Sequence, residues 1–510
     1  MISRRSTVRL FHAAARPATT PRAAGWLAAA LLGALLAAPR PAAAQDIRIS
    51  GTTTMNYVEL QPLQIDSVLA STTTGTGTLR RAPDGRTVQC VAPAPYCYVY
   101  GSGAVANSVP ALQDLTMSAW GLGQGVRFFA HVRSRAVIAG STSLWPQAND
   151  HFDALEAYLE LSRSAYVVRV GRQYDVGGLA FSNYDGASVL LRPMRAVSLE
   201  AYGGWTLETG LNEPVTNGAL AAVEPFAPDS RGVLLGLRAQ ARPIPELSLS
   251  GDYERVIAAN RTGLYSERVA TNGILRVDPL TVDWTARVDL ATQTVNELRA
   301  QMLYTSTSRY TVRAFVRRHE PYFDLWTIWG AFGAVGFVEG GAGASWRSAD
   351  GGLTFDGQAS RRRYLNTGAE VGFAPLHSTG WSVNASSAYA LAPRWALNAQ
   401  YGVDLGFGAA KSQGAVQLRR SISDGNSIAL SGTAFQTADE LRVNSGTVLG
   451  LGLTGGLRLT ERSRLDGSVF DYQHAGRVPE SGPNWSQWRA SVSFNWTVGA
   501  EPGLPAPGGM

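Results

Sequence analysis

Residues 487–498 read QWRASVSFNWTV, and this stretch decides the fold. Trp488, Ala490, Val492, Phe494, Trp496 and Val498 occupy alternate positions, with Gln487, Arg489, Ser491, Ser493, Asn495 and Thr497 between them. A strand sends successive side chains to opposite faces, so this segment has one apolar and one polar surface. Aromatic residues near both ends of the apolar face match the two girdles of a strand that crosses a membrane.

The pattern recurs upstream. Trp395, Leu397, Ala399, Tyr401, Val403 and Leu405 alternate with Asn398, Gln400, Gly402 and Asp404. Trp381, Val383, Ala385 and Tyr389 oppose Ser382, Asn384 and Ser386. Leu280, Val282, Trp284, Ala286, Val288 and Leu290 oppose Thr281, Asp283, Thr285, Arg287 and Asp289. Similar runs begin at Leu298 and at Tyr310. A soluble sandwich or propeller also alternates, but it would need a very large core to hide this many Trp, Tyr and Leu faces. No long apolar run follows residue 44, which excludes a bundle of spanning helices, each needing about 20 apolar residues.

Connections support the membrane reading. Short turns fall at 162–164, 193–195, 243–245, 278–279, 306–308, 349–351, 392–393, 423–425 and 460–462. Between them lie generally longer connections at 135–151, 173–185, 208–230, 319–335, 364–379 and 475–486, with 291–294 brief. Short periplasmic turns set against longer external loops are the outer-membrane barrel pattern, and Asp, Gly, Pro, Asn and Ser are the turn formers expected. The expectation is an all-β chain forming a single large antiparallel transmembrane β-barrel of about 22 strands (range about 18–24), with both termini in the periplasm. The barrel spans 45–498, its first strand near 47–59, with a long first external loop at 60–111. Residues 499–510 are a Gly/Pro-rich tail expected to be disordered.

The N-terminus reads as a signal peptide over 1–44. Arg4, Arg5, Arg9, Arg16 and Arg22 form a basic leader, an apolar core runs over 25–38, and Ala42-Ala43-Ala44 is a small-residue cleavage site. Ser3-Arg4-Arg5 is similar to a twin-arginine signal but lacks the apolar residues that follow such a pair, so ordinary secretion is the reading. Six of the 45 basic residues and none of the acidic ones precede the cleavage site, so the mature chain carries 39 of each. The formal net charge of +6 is therefore no argument for nucleic acid. Cys90 and Cys97, the only cysteines, most simply form a disulfide in an oxidising compartment; a metal site would need more ligands than two cysteines without nearby histidines. No metal or other cofactor is expected.

About 22 strands enclose a lumen that side chains alone cannot fill. A plug domain needs a sizeable segment before the first strand, which the reading from Gln45 does not leave. Strand parity assigns to the lumen Arg169, Arg238, Arg287, Arg299, Arg313, Arg317 and Arg489, with Glu156, Glu160, Glu200, Asp252, Glu254, Asp283, Asp289, Glu297 and Asp404. Opposed rows of charge make a transverse field that selects polar solutes; the bland alternative, slightly favoured at any one residue, is cross-strand ion pairs that stiffen the wall. PYFDLWTIWGAFGAVGF, residues 321–337, is an aromatic segment in an external-loop position. Tyr322, Phe323, Asp324, Trp326, Trp329 and Phe332 are candidates for a constriction folded into the lumen, although packing against other loops or the outer leaflet is the preferred reading.

Residues 168–193 read VRVGRQYDVGGLAFSNYDGASVLLRP. Over this one hairpin the chain resembles the alginate-export family and related outer-membrane porins. The resemblance implies Arg172 and Gln173 at the external end of a strand and Tyr184-Asp185-Gly186 opening the return strand. It also implies about 18 strands, against the 22 counted from the turns. The terminal Phe usual in such barrels is absent, which leaves Phe494 and Trp496 as the features for the barrel-assembly machinery to meet. The six histidines, His12, His131, His151, His319, His377 and His474, stand in no traceable hydrolase arrangement, so no enzyme is expected. The sequence thus points to a channel in the outer membrane of a Gram-negative-type bacterium that passes small polar solutes, with outer-membrane lipid around it. The alternatives are a structural or surface-interaction barrel, and an export conduit with a periplasmic partner.

Overall fold

Alternating polarity over ten to fifteen residues, punctuated by Asp, Gly, Pro and Ser, gives strand after strand. The computed structural model describes residues 46–60, 63–77, 79–85, 87–90, 95–102, 104–141, 151–207, 232–257, 264–307, 309–320, 336–365, 378–406, 410–438, 446–476 and 484–499. In chain order the strands are β1 (Ile47–Leu60), β2 (Leu63–Leu69), β3 (Leu79–Arg81), β4 (Thr87–Cys90), β5 (Tyr96–Ser102), β6 (Ala106–Trp120), β7 (Val126–Gly140), β8 (His151–Ser162) and β9 (Tyr166–Gly177). They continue with β10 (Ala180–Met194), β11 (Val197–Thr206), β12 (Val233–Ile244), β13 (Leu247–Ile257), β14 (Leu264–Val277), β15 (Leu280–Asp289), β16 (Thr294–Thr307), β17 (Tyr310–His319) and β18 (Phe337–Arg347). The last are β19 (Leu353–Tyr364), β20 (Thr379–Ala392), β21 (Trp395–Leu405), β22 (Ala410–Ser423), β23 (Asn426–Ala438), β24 (Gly446–Thr460), β25 (Ser463–Gly476) and β26 (Trp485–Gly499).

β1 and β6 to β26 form one antiparallel 22-stranded sheet, and β1 pairs with both β6 and β26, so the sheet closes. The closing seam is continuous, from Arg48 opposite Gly499 to Val58 opposite Arg489. Closure is what a lipid-embedded sheet requires, because hydrocarbon offers no partner to an unpaired backbone N–H or C=O.

The two faces separate as the alternation demands. On β24, Leu449, Leu451 and Leu453 are 56%, 62% and 50% exposed and alternate with Gly450 and Gly452, which face inward. On β20 the outward row runs from Trp381 to Tyr389, eight residues on. At about 3.4 Å per residue and a tilt of about 40° that is roughly 21 Å of thickness, close to the apolar band of such barrels.

Short connections (121–125, 163–165, 195–196, 245–246, 278–279, 308–309, 348–352, 393–394, 424–425 and 461–462) all lie at one end, with the start of β1 and the end of β26. That end is the periplasmic one by the loop-length rule. Gly425 shows why glycine closes one such turn. Its φ is +86°, and a Cβ there would lie 2.9 Å from Arg458 Cδ.

Two boundaries differ from the sequence reading. The connection expected at 173–185 is absent: β9 and β10 pair as far as Gly177 opposite Ala180, and only residues 178–179 turn the chain. β6 begins at Ala106, so the first external connection is shorter than 60–111. The register shift between Val109 and Pro110 accommodates the proline inside the strand. The expected signal peptide at 1–44 and residues 500–510 of the tail lie outside the described residues.

The first external connection carries its own small sheet, ordered β2-β5-β4-β3. Cys90 stands directly opposite Cys97 across β4 and β5, and the two are joined by a disulfide. Ala82, Val88, Cys90 and Cys97 form a buried cluster with Val68 and Ala70 against it. A segment this small buries too little to hold itself, and a covalent staple is the usual remedy.

Candidate functional site: the lumen wall

Drawn as a circle, a wall of 22 strands spaced about 4.8 Å and tilted about 40° would be roughly 44 Å across. Side chains from opposite walls cannot meet over that span. The inward row is therefore the surface any solute would meet.

Register and contacts place Arg169, Arg238, Arg287, Arg299, Arg313, Arg317 and Arg489 on the inward row. Glu156, Glu160, Glu200, Asp252, Glu254, Asp283, Asp289, Glu297 and Asp404 share it. Most of these charges clamp neighbouring strands. Glu160 accepts from Arg127 on β7 at 3.0 Å and from Arg169 on β9 at 2.8 Å. Arg238 on β12 donates to Glu200 on β11 at 3.1 Å and to Asp252 on β13 at 2.6 Å. Glu254 takes Arg268 at 2.7 Å and the Tyr202 hydroxyl at 3.3 Å. Arg317 and His319 both reach Glu297 at 2.6 Å, and Arg313 grips Asp356 with two bonds of 2.8 and 2.7 Å. Asp289 instead caps its own loop through the backbone N–H groups of Ala291 and Thr292. Glu156 lies 3.9 Å from His131.

Of the charges that strand parity assigned to the lumen, five have no ion pair among the described residues: Arg287, Arg299, Arg489, Asp283 and Asp289; Lys411 and Arg419, on the inward face of β22, have none either. Arg299 donates to Gln301, and Arg489 to Gln487 at 3.3 Å. The Nε of Arg287 is buried without a partner.

The wall from β20 to β23 is different in kind. Its inward row includes Ser382, Asn384, Ser386, Gln400, Asn398, Gln413, Gln417, Ser431 and Thr433, mostly amides and hydroxyls, with Asp404 and Lys411 near the external end and Arg419 near the other. A hollow of about 600 Å³ lies against this face, reaching Thr311, Ser345 and the charged Arg309, Arg347 and Asp356 on one side and Phe470 on the other.

Several members were missed from sequence. Arg362 ties Glu339 on β18 to Asp404 on β21, each at 3.0 Å, and Ser360 donates to Glu339 at 2.6 Å. Asp114 holds Arg133 at 2.8 Å and His131 at 3.1 Å. β18 is so rich in Gly and Ala that it shows no alternation. In β19 the run Arg361-Arg362-Arg363 hides it, although the middle arginine of such a triple must oppose its neighbours.

Arg172 and Gln173 do not end a strand, and Tyr184 does not open one. Both pairs sit inside β9 and β10, where Arg172 is opposite Asp185 and donates to it at 2.8 Å. Gln173 and Tyr184 face the other way, into a buried cluster with Tyr202 and Leu234. Tyr322, Phe323, Asp324, Trp326, Trp329 and Phe332 lie outside the described residues.

No family model matches this sequence, and no curated protein matches it. The resemblance to the alginate-export family is not supported. Solved structures that are similar include the P pilus usher (PapC) translocation pore, at 10% identity over 89% of this chain and 100% of that one, with a TM-score of 0.46. OccK5 (OpdH) of Pseudomonas aeruginosa matches at 8% over 89% of this chain and 98% of that one, TM-score 0.38. OccAB1 of Acinetobacter baumannii matches at 8% over 89% and 97%, TM-score 0.37. The classification rests on the strands themselves. A closed wall of 22 strands, apolar outside and charged within, makes this chain an outer-membrane β-barrel.

Proposed function

We propose that the barrel is a porin-like channel for passive diffusion of small polar solutes. The observation that carries this reading is the inward row. Ion-paired arginines and carboxylates, hydroxyls and amides line a wall too wide for side chains to close. Among the inward charges without an ion pair, the cations Arg287, Arg299, Arg489, Lys411 and Arg419 outnumber Asp283 and Asp289, so the channel has a mild preference for anions. Residues 1–44 act as the secretion signal, and Phe494 and Trp496 on β26 are met by the assembly machinery. Purified protein in planar bilayers tests the reading: discrete conductance steps support it, and a silent, correctly folded barrel refutes it.

A further inference from the structure

One strip of the lumen is neither charged nor simply polar. Phe470, Tyr472 and His474 follow one another on the inward row of β25, and Trp485 stands opposite His474 on β26. The Phe470 and Tyr472 rings are stacked at 5.7 Å, and those of His474 and Trp485 at 5.2 Å with planes 6° apart. Phe435 on β23 shares their level, because Val448 lies opposite both Phe435 and His474. The rings thus descend from the external end of the wall, and Phe470 borders the hollow that also holds Thr433, Ser431, Gln417 and Gln400, with Arg309, Arg347 and Asp356 at its far side.

The rings lie flat on the wall. A Cβ at Gly452 would be 2.1 Å from Phe470 Cδ1, and one at Gly450 would be 2.7 Å from Tyr472 Cε1. Covering a strand glycine with an aromatic ring is a common packing device, and it accounts for the faces turned to the wall. It does not account for Phe435, 37% exposed and opposite Gln413 and Val448 rather than a glycine. Nor does it explain why the rings line up toward a hollow whose nearer side is amides and hydroxyls. Beside Tyr472 the Arg489 guanidinium, without a carboxylate partner, stands 5.5 Å from the ring centre.

We propose that this strip binds and guides linear neutral oligosaccharides toward the hollow, a substrate class that rests on the channel reading above. A pyranose ring presents a face of C–H bonds that packs on a flat aromatic ring and an edge of hydroxyls that needs donors and acceptors. The Phe470 and Tyr472 ring centres, 5.7 Å apart, are spaced close to the length of one sugar unit, so a chain can move from ring to ring. Gln487, Arg489, Thr433 and Gln417 supply hydrogen bonds alongside.

The test uses the full mature protein and maltohexaose, a linear neutral glucose hexamer. Current interruptions in single channels give the half-blocking concentration, and calorimetry in detergent gives binding independently of conduction. The expected result is sugar-dependent block, with Phe470→Leu/Tyr472→Leu raising the half-blocking concentration about tenfold or more by analogy with stacking of planar ligands. Heat-modifiable migration should stay unchanged, because leucine still covers Gly450 and Gly452 and the barrel still closes. Conducting channels that neither bind nor are blocked by maltohexaose, or a double variant blocked as well as the parent, overturn the proposal and leave the channel reading standing. Sugar binding to a barrel that never conducts supports the strip and removes the channel.

Discussion

Replacing Arg238 with glutamine should cost more than any other single loss of charge in the wall. Arg238 is 13% exposed and touches Glu200, 14% exposed, and Asp252, 3% exposed. Glutamine leaves two carboxylates facing each other, and Asp252 loses its described partner. Each charge-assisted hydrogen bond is worth about 1.5–3 kcal/mol, and breaking a buried pair from one side typically costs about 3–5 kcal/mol, so a loss of about 3–5 kcal/mol follows. The contrast lies in the same wall. Arg464 and Asp466 form a bond of 2.8 Å but are 41% and 39% exposed, and exposed pairs contribute about 0–1 kcal/mol. Equilibrium urea titrations of the barrel in lipid vesicles, followed by tryptophan fluorescence, would measure both. Arg464→Gln should shift the midpoint little and Arg238→Gln strongly. Adding Asp252→Asn to Arg238→Gln should recover at least about 1 kcal/mol, because it removes the stranded charge. Equal costs for the two arginine variants would show that water reaches Asp252 freely, and the reasoning from burial would fail.

Three further outcomes are expected. Arg287→Gln with Arg299→Gln removes two inward cations that hold no ion pair among the described residues, so the reversal potential in a salt gradient should move toward cation preference; an unmoved potential means these side chains do not face the conducting path. A methyl at Gly236 would fall 2.0 Å from the Tyr202 ring while one at Gly432 meets nothing, so Gly236→Ala should destabilise by about 1–3 kcal/mol and Gly432→Ala by less than about 0.5 kcal/mol in the same titration. Cys90→Ser should free the small sheet of the first loop, whose bridge spans seven positions, at a cost of about 2–3 kcal/mol confined to that sheet; protease nicking within 63–102 with unchanged heat-modifiable migration is the signature, and loss of the barrel itself contradicts the local account.

Most of the architecture was legible because strand parity and turn chemistry are local. The polar row of β26 and the turns at 278–279 and 424–425 can be read from neighbouring residues alone. What failed was reading 173–185, with Gly177-Gly178 inside it, as a loop. A Cβ at Gly177 would lie 2.1 Å from Arg238 Nη2, and one at Gly178 would lie 2.5 Å from Asp252 Oδ2. The glycines mark a hairpin tip pressed against the side chains of β12 and β13, and close approach and loop share the same residue signal. The pairing of Arg313 with Asp356, 43 residues away, was illegible for another reason. Parity says which face a charge is on, but the register of strands two places apart decides what it meets.

That distinction bears on why the chain has one lysine, Lys411, among its 45 basic residues. Base composition alone would place arginine anywhere, and many arginines hold no carboxylate among the described residues, yet several sit where a fork is needed. Arg238 joins β11, β12 and β13, and Arg362 joins β18, β19 and β21. Arg313 takes both oxygens of Asp356, skipping a strand to do so. An ammonium is a compact point charge on a flexible stem, whereas a guanidinium offers five donors in a rigid plane and can hold two carboxylates at once. Clamps of this kind tie strands laterally on the face where no packed core exists to hold them. They also neutralise the wall, so the few charges left without an ion pair, such as Arg287 and Arg299, are the ones able to set what passes.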